Sequence, residues 1–298
     1  MYHNPVLLVP SVSALVTSPQ GTYVDVTFGG GGHSREILNR LAPEGRLLAF
    51  DQDPDAAQNI IKDPRFQFIP YNFEHLKKFL QFYKAYPVDG ILADLGVSSY
   101  QFDTPERGFS HRFNEKLDMR MNRNKGLSAA DILATYPHNR LTKILGEYGE
   151  VQQPQRIVSL ILKYREEKAI LTTGDFVEAV RPTLPHGKEN KILSQIFQAI
   201  RIEVNHEIDV LKDLLQQTTE ALKPGGILAI ISYHSLEDRL VKNFMKAGNL
   251  EGTLEKDFFG NPLTPFTLIT RKAIIPDDTE IALNSRSRSA KLRIAQKK

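Results

Sequence analysis

The sequence predicts an α/β protein, a doubly wound Rossmann-like parallel sheet with a helical insertion between its fourth and fifth strands. Three observations carry this. From Gly21 onward, short β-branched or apolar runs alternate with longer helical ones, as in repeated βα units. A glycine-rich segment, Gly29-Gly30-Gly31-Gly32-His33-Ser34, joins the first strand to the first helix. About 130 residues then separate the fourth strand from the fifth, far more than one crossover helix fills.

Strands are expected at 23–28, 46–50, 66–70, 90–94 and 227–232. Two further candidates, 266–273 and 290–295, read as an antiparallel pair at one edge of the sheet. Within the insertion, Leu141, Ile144, Leu145 and Tyr148 recur at helical spacing, as do Ile157, Leu160, Ile161 and Tyr164. Pro182 and Pro185 interrupt the pattern before a single long helix carrying Ile192, Ile196, Ile200, Val204, Ile208, Leu211 and Leu215. Lys223-Pro224-Gly225-Gly226 is expected to end that helix, with glycine as its left-handed cap. Residues 1–106 with 200–298 then form a cofactor-binding domain, and 107–199 a helical domain for substrate recognition.

The 298 residues are 41% hydrophobic and 24% charged, ordinary globular usage. No cysteine is present, which excludes disulfides, thiolate metal ligands and a cysteine nucleophile. No metal site is expected. The net charge of +3 is unevenly placed: residues 284–298 hold Arg286, Arg288, Lys291, Arg293, Lys297 and Lys298 with no acid. The remainder is slightly acidic, so the tail points to an anionic partner such as nucleic acid. The uncharged stretch 4–24 lacks a preceding Lys or Arg and is broken by Pro5, Pro10 and Pro19, unlike a signal peptide. A cytoplasmic protein without membrane association is expected.

The glycine segment lets a ligand approach the main chain. A dinucleotide fingerprint requires glycine where Ser34 stands, and a P-loop requires Gly-Lys-Ser/Thr, which His33-Ser34 does not supply. An acid inside the first strand, Asp25, followed by a glycine turn resembles the S-adenosylmethionine site of Rossmann-like methyltransferases. Asp51, at the end of the second strand, is placed to bind the ribose hydroxyls of an adenosine cofactor, while Asp53 or Asp55 caps the next helix. Asp94, ending the fourth strand, and Ser232-Tyr233-His234, ending the fifth, lie at the same rim. Asp94 and His234 are the candidate catalytic residues.

Eight segments together resemble the ribosomal RNA small subunit methyltransferase H family, also called MraW. They are Asn4-Pro5-Val6-Leu7-Leu8, the Gly29 to Ser34 loop, Ala93-Asp94-Leu95-Gly96-Val97-Ser98-Ser99, Leu117-Asp118-Met119-Arg120-Met121-Asn122, Glu147-Tyr148-Gly149-Glu150, Gln198-Ala199-Ile200-Arg201-Ile202-Glu203-Val204-Asn205, Ile231-Ser232-Tyr233-His234-Ser235-Leu236-Glu237-Asp238-Arg239 and Ser285-Arg286-Ser287-Arg288-Ser289. The resemblance implies a class I S-adenosylmethionine-dependent methyltransferase acting on the N4 amine of a cytidine in the decoding region of 16S rRNA. It also implies cofactor contacts from Gly31, Gly32, His33, Asp51, Phe73, Asp94 and Gln101. Tyr100 and Lys116 stand where the family more often has proline.

The residue chemistry agrees with an amine acceptor, because methylating C5 of a pyrimidine generally demands a nucleophile, usually cysteine. Arg107, Arg112, Lys116, Arg120, Arg123 and Lys125, interleaved with Phe109 and Phe113, give the insertion a basic, aromatic start suited to RNA. Candidate substrate contacts are Arg112, Arg120, Ser232, Tyr233, Arg286 and Arg288. Deleting 284–298 is expected to weaken RNA binding and flatten its salt dependence. The partner is 16S rRNA or the small ribosomal subunit, and the chain a monomer or homodimer. Rival readings are a nicotinamide-dependent oxidoreductase, a methyltransferase for another substrate, and an inactive RNA-binding protein.

Overall fold

The computed structural model describes residues 5–298; Asn4, which begins the first of the eight segments, lies outside the described residues. Among the described residues seven strands form one sheet in the order β3-β2-β1-β4-β5-β7-β6. They are β1 (Thr22–Asp25), β2 (Arg46–Phe50), β3 (Phe66–Ile69), β4 (Val88–Asp94), β5 (Leu222–Ser232), β6 (Phe266–Leu268) and β7 (Lys291–Lys297). The first five pair in parallel, and β7 runs antiparallel to β5 and β6 between them. The expected doubly wound sheet is therefore present.

The chain divides into two compact units, Met1–Gly96 with Ile208–Lys298, and Val97–Glu207. The first holds the sheet with α1 (Leu8–Leu15), α2 (Gly32–Arg40) and α3 (Leu76–Phe82). Alternating residues of β5 serve opposite faces, as pleating requires. Leu228 and Ile230 join a core with Leu76, Leu80, Leu211 and Phe244, whereas Ile227, Ala229 and Ile231 join one with Val12, Leu15, Ile37 and Leu38. Leu47, Leu48, Ala49 and Phe50 are all fully buried, as a central strand covered on both faces must be.

The second unit is helical, with α4 (Ser99–Asp103), α5 (Ala129–Thr135), α6 (His138–Glu147), α7 (Pro154–Glu167), α8 (Thr173–Val180) and α9 (Glu189–Asn205). It has its own core, including Leu141, Leu145, Ile157, Ile161, Phe176, Ile196 and Ile200. The junctions fall outside the expected boundaries at 107 and 199. Val97 and Phe102 pack on the helical core, and α9 continues to Asn205 before the chain leaves it.

Three expectations are corrected. The long helix is two, α9 and α10 (Glu207–Ala221), broken at His206, whose φ of 51° is left-handed. The apolar spacing runs through the break, so periodicity alone missed it. Gly225 is not the helix cap, because α10 passes directly into β5 at Leu222; its φ of 82° instead serves a turn within β5, where the register with β4 shifts. The segment 266–273 is regular only to Leu268, after which the chain bulges and rejoins β7 at the Ile274–Leu292 bridge. Two further helices, α11 (Ser235–Ala247) and the short α12 (Asp278–Leu283), complete the first unit.

Candidate active site

The glycine turn is held by the carboxylate that ends β1. Asp25 is buried, and its oxygens accept from the Ser34 hydroxyl at 2.7 Å and the Thr27 amide at 3.1 Å. This staples the start of α2 back over the strand end. Gly29 and Gly31 take left-handed φ of 50° and 76°, which is where glycine is required. The carbonyls of the turn are tied down as well: Arg35 Nη1 donates to Gly30 at 2.7 Å and Asn59 Nδ2 to Gly29 at 3.0 Å. Gly32 has a different reason to lack a side chain, since a Cβ there would lie 2.1 Å from Pro5 Cγ.

Asp51 lies at the end of β2, half-buried. Its Oδ2 accepts from Gly29 N at 2.7 Å and its Oδ1 from Asp53 N at 2.8 Å, so it also positions the turn. Asp53 caps the following 3-10 turn through Asp55 N at 3.0 Å, as expected of one of that pair. Phe73 opens the 3-10 turn after β3 and packs half-buried against the sheet core. Because β1 to β4 are parallel, these groups share the carboxyl edge of the sheet, at the point where strand order reverses between β1 and β4.

Asp94 is the centre of the rim. Its amide donates to Thr27 Oγ1 at 2.7 Å, its Oδ1 accepts from the Tyr233 hydroxyl at 2.8 Å, and its Oδ2 lies 3.8 Å from His33 Nδ1. His33 is buried beneath the amino-terminal segment, its Nε2 3.1 Å from the carbonyl of Val6. A carbonyl only accepts, so Nε2 carries the hydrogen. Burial pushes the Asp94 carboxyl up to about 6 and that of Asp51 up to about 7. Burial and the neighbouring Asp94 charge hold the Tyr233 hydroxyl well above its ordinary value, so it remains a donor.

Ser232 is buried at the end of β5 opposite Lys291 of β7. His234 caps α11, and its Nε2 lies 3.1 Å from Glu237 Oε1, turning the imidazole toward its own helix. Glu237 in turn accepts from Tyr233 N at 2.9 Å, fixing the ring that reaches Asp94. Because β7 is antiparallel to β5, the exposed turn carrying Arg286 and Arg288 arrives at this same rim. Lys291 and Arg293 instead pair with Asp238, at 3.2 and 2.6 Å. The basic tail is thus largely a strand, and deleting 284–298 would remove it from within the sheet.

The remaining predicted residues lie in the helical unit. Gln101 forms a reciprocal cap with Ser98 at the start of α4, at 3.0 and 3.1 Å. Arg112 is exposed, and Arg120 binds Asp118 through two hydrogen bonds of 2.7 and 2.9 Å. Arg107 and Phe109 are interior: the Arg107 guanidinium donates to the carbonyls of Arg120 and Met121, both at 3.0 Å. Neither is therefore a surface contact for RNA, whereas Phe113 is exposed. The sequence reading did not identify Thr27 or the Val6 carbonyl as parts of the site, and only the segment 4–8 pointed near the latter.

The first unit suits the expected cofactor. A turn without side chains at Gly31 and Gly32, first-turn amides of α2 without intrahelical acceptors, and carboxylates at the ends of β2 and β4 match a ligand with an amino-acid moiety, a sulfonium and a ribose. The MraW methylase family model matches residues 1–298. A ribosomal RNA small subunit methyltransferase H from Bacteroides fragilis is 58% identical over 297 residues, spanning 100% of this chain and 98% of that protein. One from Flavobacterium johnsoniae is 55% identical, spanning 99% and 98%. A solved rRNA methylase from Streptococcus thermophilus aligns over 96% of this chain and 90% of its own, at 11% identity and a TM-score of 0.41, too remote to add weight. The match from end to end, with relatives above half identity, places this chain in the MraW methylase family.

Proposed function

We propose that the protein transfers the methyl group of S-adenosylmethionine to the N4 amine of a cytidine in the decoding region of 16S rRNA, during small-subunit maturation. The observation that carries this reading is the Asp94 cluster: a carboxylate held by Tyr233 beside the glycine turn, in a chain with no cysteine for attack at C5. S-adenosylmethionine supplies an electrophilic methyl group on a sulfonium. Gly31 and Gly32 would seat its amino-acid end, Asp51 its ribose and Phe73 its adenine, with His33 and Asp94 as further contacts.

Cytosine N4 is a weak nucleophile because its lone pair is delocalised into the ring. Ionised Asp94 accepts a hydrogen bond from the amine, orients it, and is available to take the proton released on transfer. Ser232 and Tyr233 shape the base pocket, and holding nitrogen, methyl and sulfur in line supplies further acceleration. His234, capping α11, positions the Tyr233 turn. The helical unit, with Arg112 and Arg120, and the rim turn with Arg286 and Arg288 supply phosphate contacts on the rRNA or the small subunit. Among the described residues no helix is long and apolar enough to cross a membrane. Such a substrate places the enzyme in the cytoplasm.

The test is incubation with tritiated S-adenosylmethionine and small subunits from a strain lacking the enzyme, followed by digestion to nucleosides. Label in N4-methylcytidine is expected. Label at C5 or on a ribose overturns the assignment.

A further inference from the structure

The segment preceding α1 crosses the mouth of α2 in a conformation that its own sequence does not favour. Leu7 adopts φ 50°, ψ 36°, a left-handed geometry without the freedom of glycine, and no side chain caps the helix it begins. Two contacts hold it. Its side chain is buried with Val6 against the sheet, and its amide donates to Glu280 Oε1 of α12 at 2.7 Å, across 273 residues of sequence. The reversal at Leu7 is what turns the Val6 carbonyl toward His33.

We infer that Glu280 is a positioning residue for methyl transfer, acting through Leu7 and Val6 to hold the His33 ring with its Nδ1 facing Asp94. The inference rests on the reading of Asp94 as the group that receives the amine. With Nε2–H committed to Val6, His33 keeps its Nδ1 3.8 Å from Asp94. A proton between these two groups is shared as a hydrogen bond, and His33 draws the Asp94 carboxyl down against the larger effect of burial. The proton leaving the N4 amine therefore has a seat on Asp94 next to His33, while the N–C bond forms and the C–S bond breaks with its electron pair left on sulfur. Of the other groups around Asp94, Asp25 from β1 and Glu237 from α11 are acidic and favour that uptake, His33 opposes it, and Tyr233 donates without giving up its proton. Without Glu280 the strap loses its anchor, and the His33 ring is free to turn away from Asp94, whose carboxyl then rises further.

The experiment compares Glu280→Ala and Glu280→Gln with the wild-type enzyme on small subunits, across pH. Glutamine keeps the acceptor for Leu7 N–H but not the charge, and alanine keeps neither. We expect kcat to fall about tenfold in Glu280→Ala, with KM for S-adenosylmethionine changed less and the acidic limb of the pH–rate profile moved up by about half a unit or more. Glu280→Gln should stay within about twofold of wild type with its limb in place. Equal impairment of the two variants, or a Glu280→Ala profile matching wild type, overturns the inference. If Glu280→Ala fails to fold, histidine nitrogen resonances of the wild-type protein decide, because the Nδ1–H tautomer at His33 is incompatible with it. Absence of N4 methylation by the wild type would instead overturn the functional reading.

Discussion

At Asp94 the needs of the fold and of the chemistry oppose each other. Burial raises its carboxyl from 3.8 to about 6, so the folded chain binds this proton more tightly than the unfolded one. Its contribution to stability is full below pH 3.8 and is lost as pH rises through about 6. Turnover runs the other way, because the ionised form accepts the amine, and kcat should climb through about pH 6. Asp94→Ala is expected to lower kcat by about 10²–10⁴-fold while leaving Tm at neutral pH unchanged or higher. Paired calorimetry and turnover measurements check this, and a variant that methylates normally removes Asp94 from the mechanism. Asp51 and Asp94 were legible in the sequence because an acid at the end of a predicted parallel strand has a defined place in the fold. The Leu7–Glu280 bond was not, since a contact between distant backbone and side chain leaves no periodic trace.

Among the elements, the glycine turn and α2 show how little room the site allows. Gly32→Ala would drive a Cβ into Pro5, with 2.1 Å between their carbons, so the strap must shift or the helix must. The expected result is a loss of about 1–3 kcal/mol from overpacking together with weaker S-adenosylmethionine binding. Thermal unfolding and isothermal titration report the two separately, and an alanine variant with wild-type values for both would mean that the strap yields freely. The strands at this edge were readable as apolar runs ending in acids. The division between α9 and α10 was not, because Val204 and Leu211 keep helical spacing across His206 while packing in different cores. Periodicity records which residues are buried, not what buries them. The tail misled in the opposite sense: six cations in 284–298 look like a solvated end until Leu292, Ile294 and Ala295 are seen buried between β5 and β6.

For the molecule as a whole, removing 284–298 takes out an interior strand. That truncation should abolish cooperative folding, so any loss of RNA binding it causes would carry no information about phosphate contacts. Arg286→Ala with Arg288→Ala is the informative change, since both side chains are exposed on a turn at the rim. If each contacts one phosphate, the slope of log affinity against log salt should shrink by about 1.5 while the fold stays intact. An unaltered slope in filter-binding measurements would exclude both as phosphate contacts.

The position of β7 also bears on how the chain acquires its shape during synthesis. β6 precedes β7 in sequence, yet within the sheet it pairs with β7 alone. When β6 leaves the ribosome its hydrogen-bonding edge has no neighbour, and the ring of Phe266 against Phe244 of α11, with centroids 5.8 Å apart, offers it a provisional anchor. β7 then enters a slot already bounded by β5 and by that waiting strand, satisfying two open edges in one late step. Until then both edges are exposed to unwanted pairing with other nascent chains.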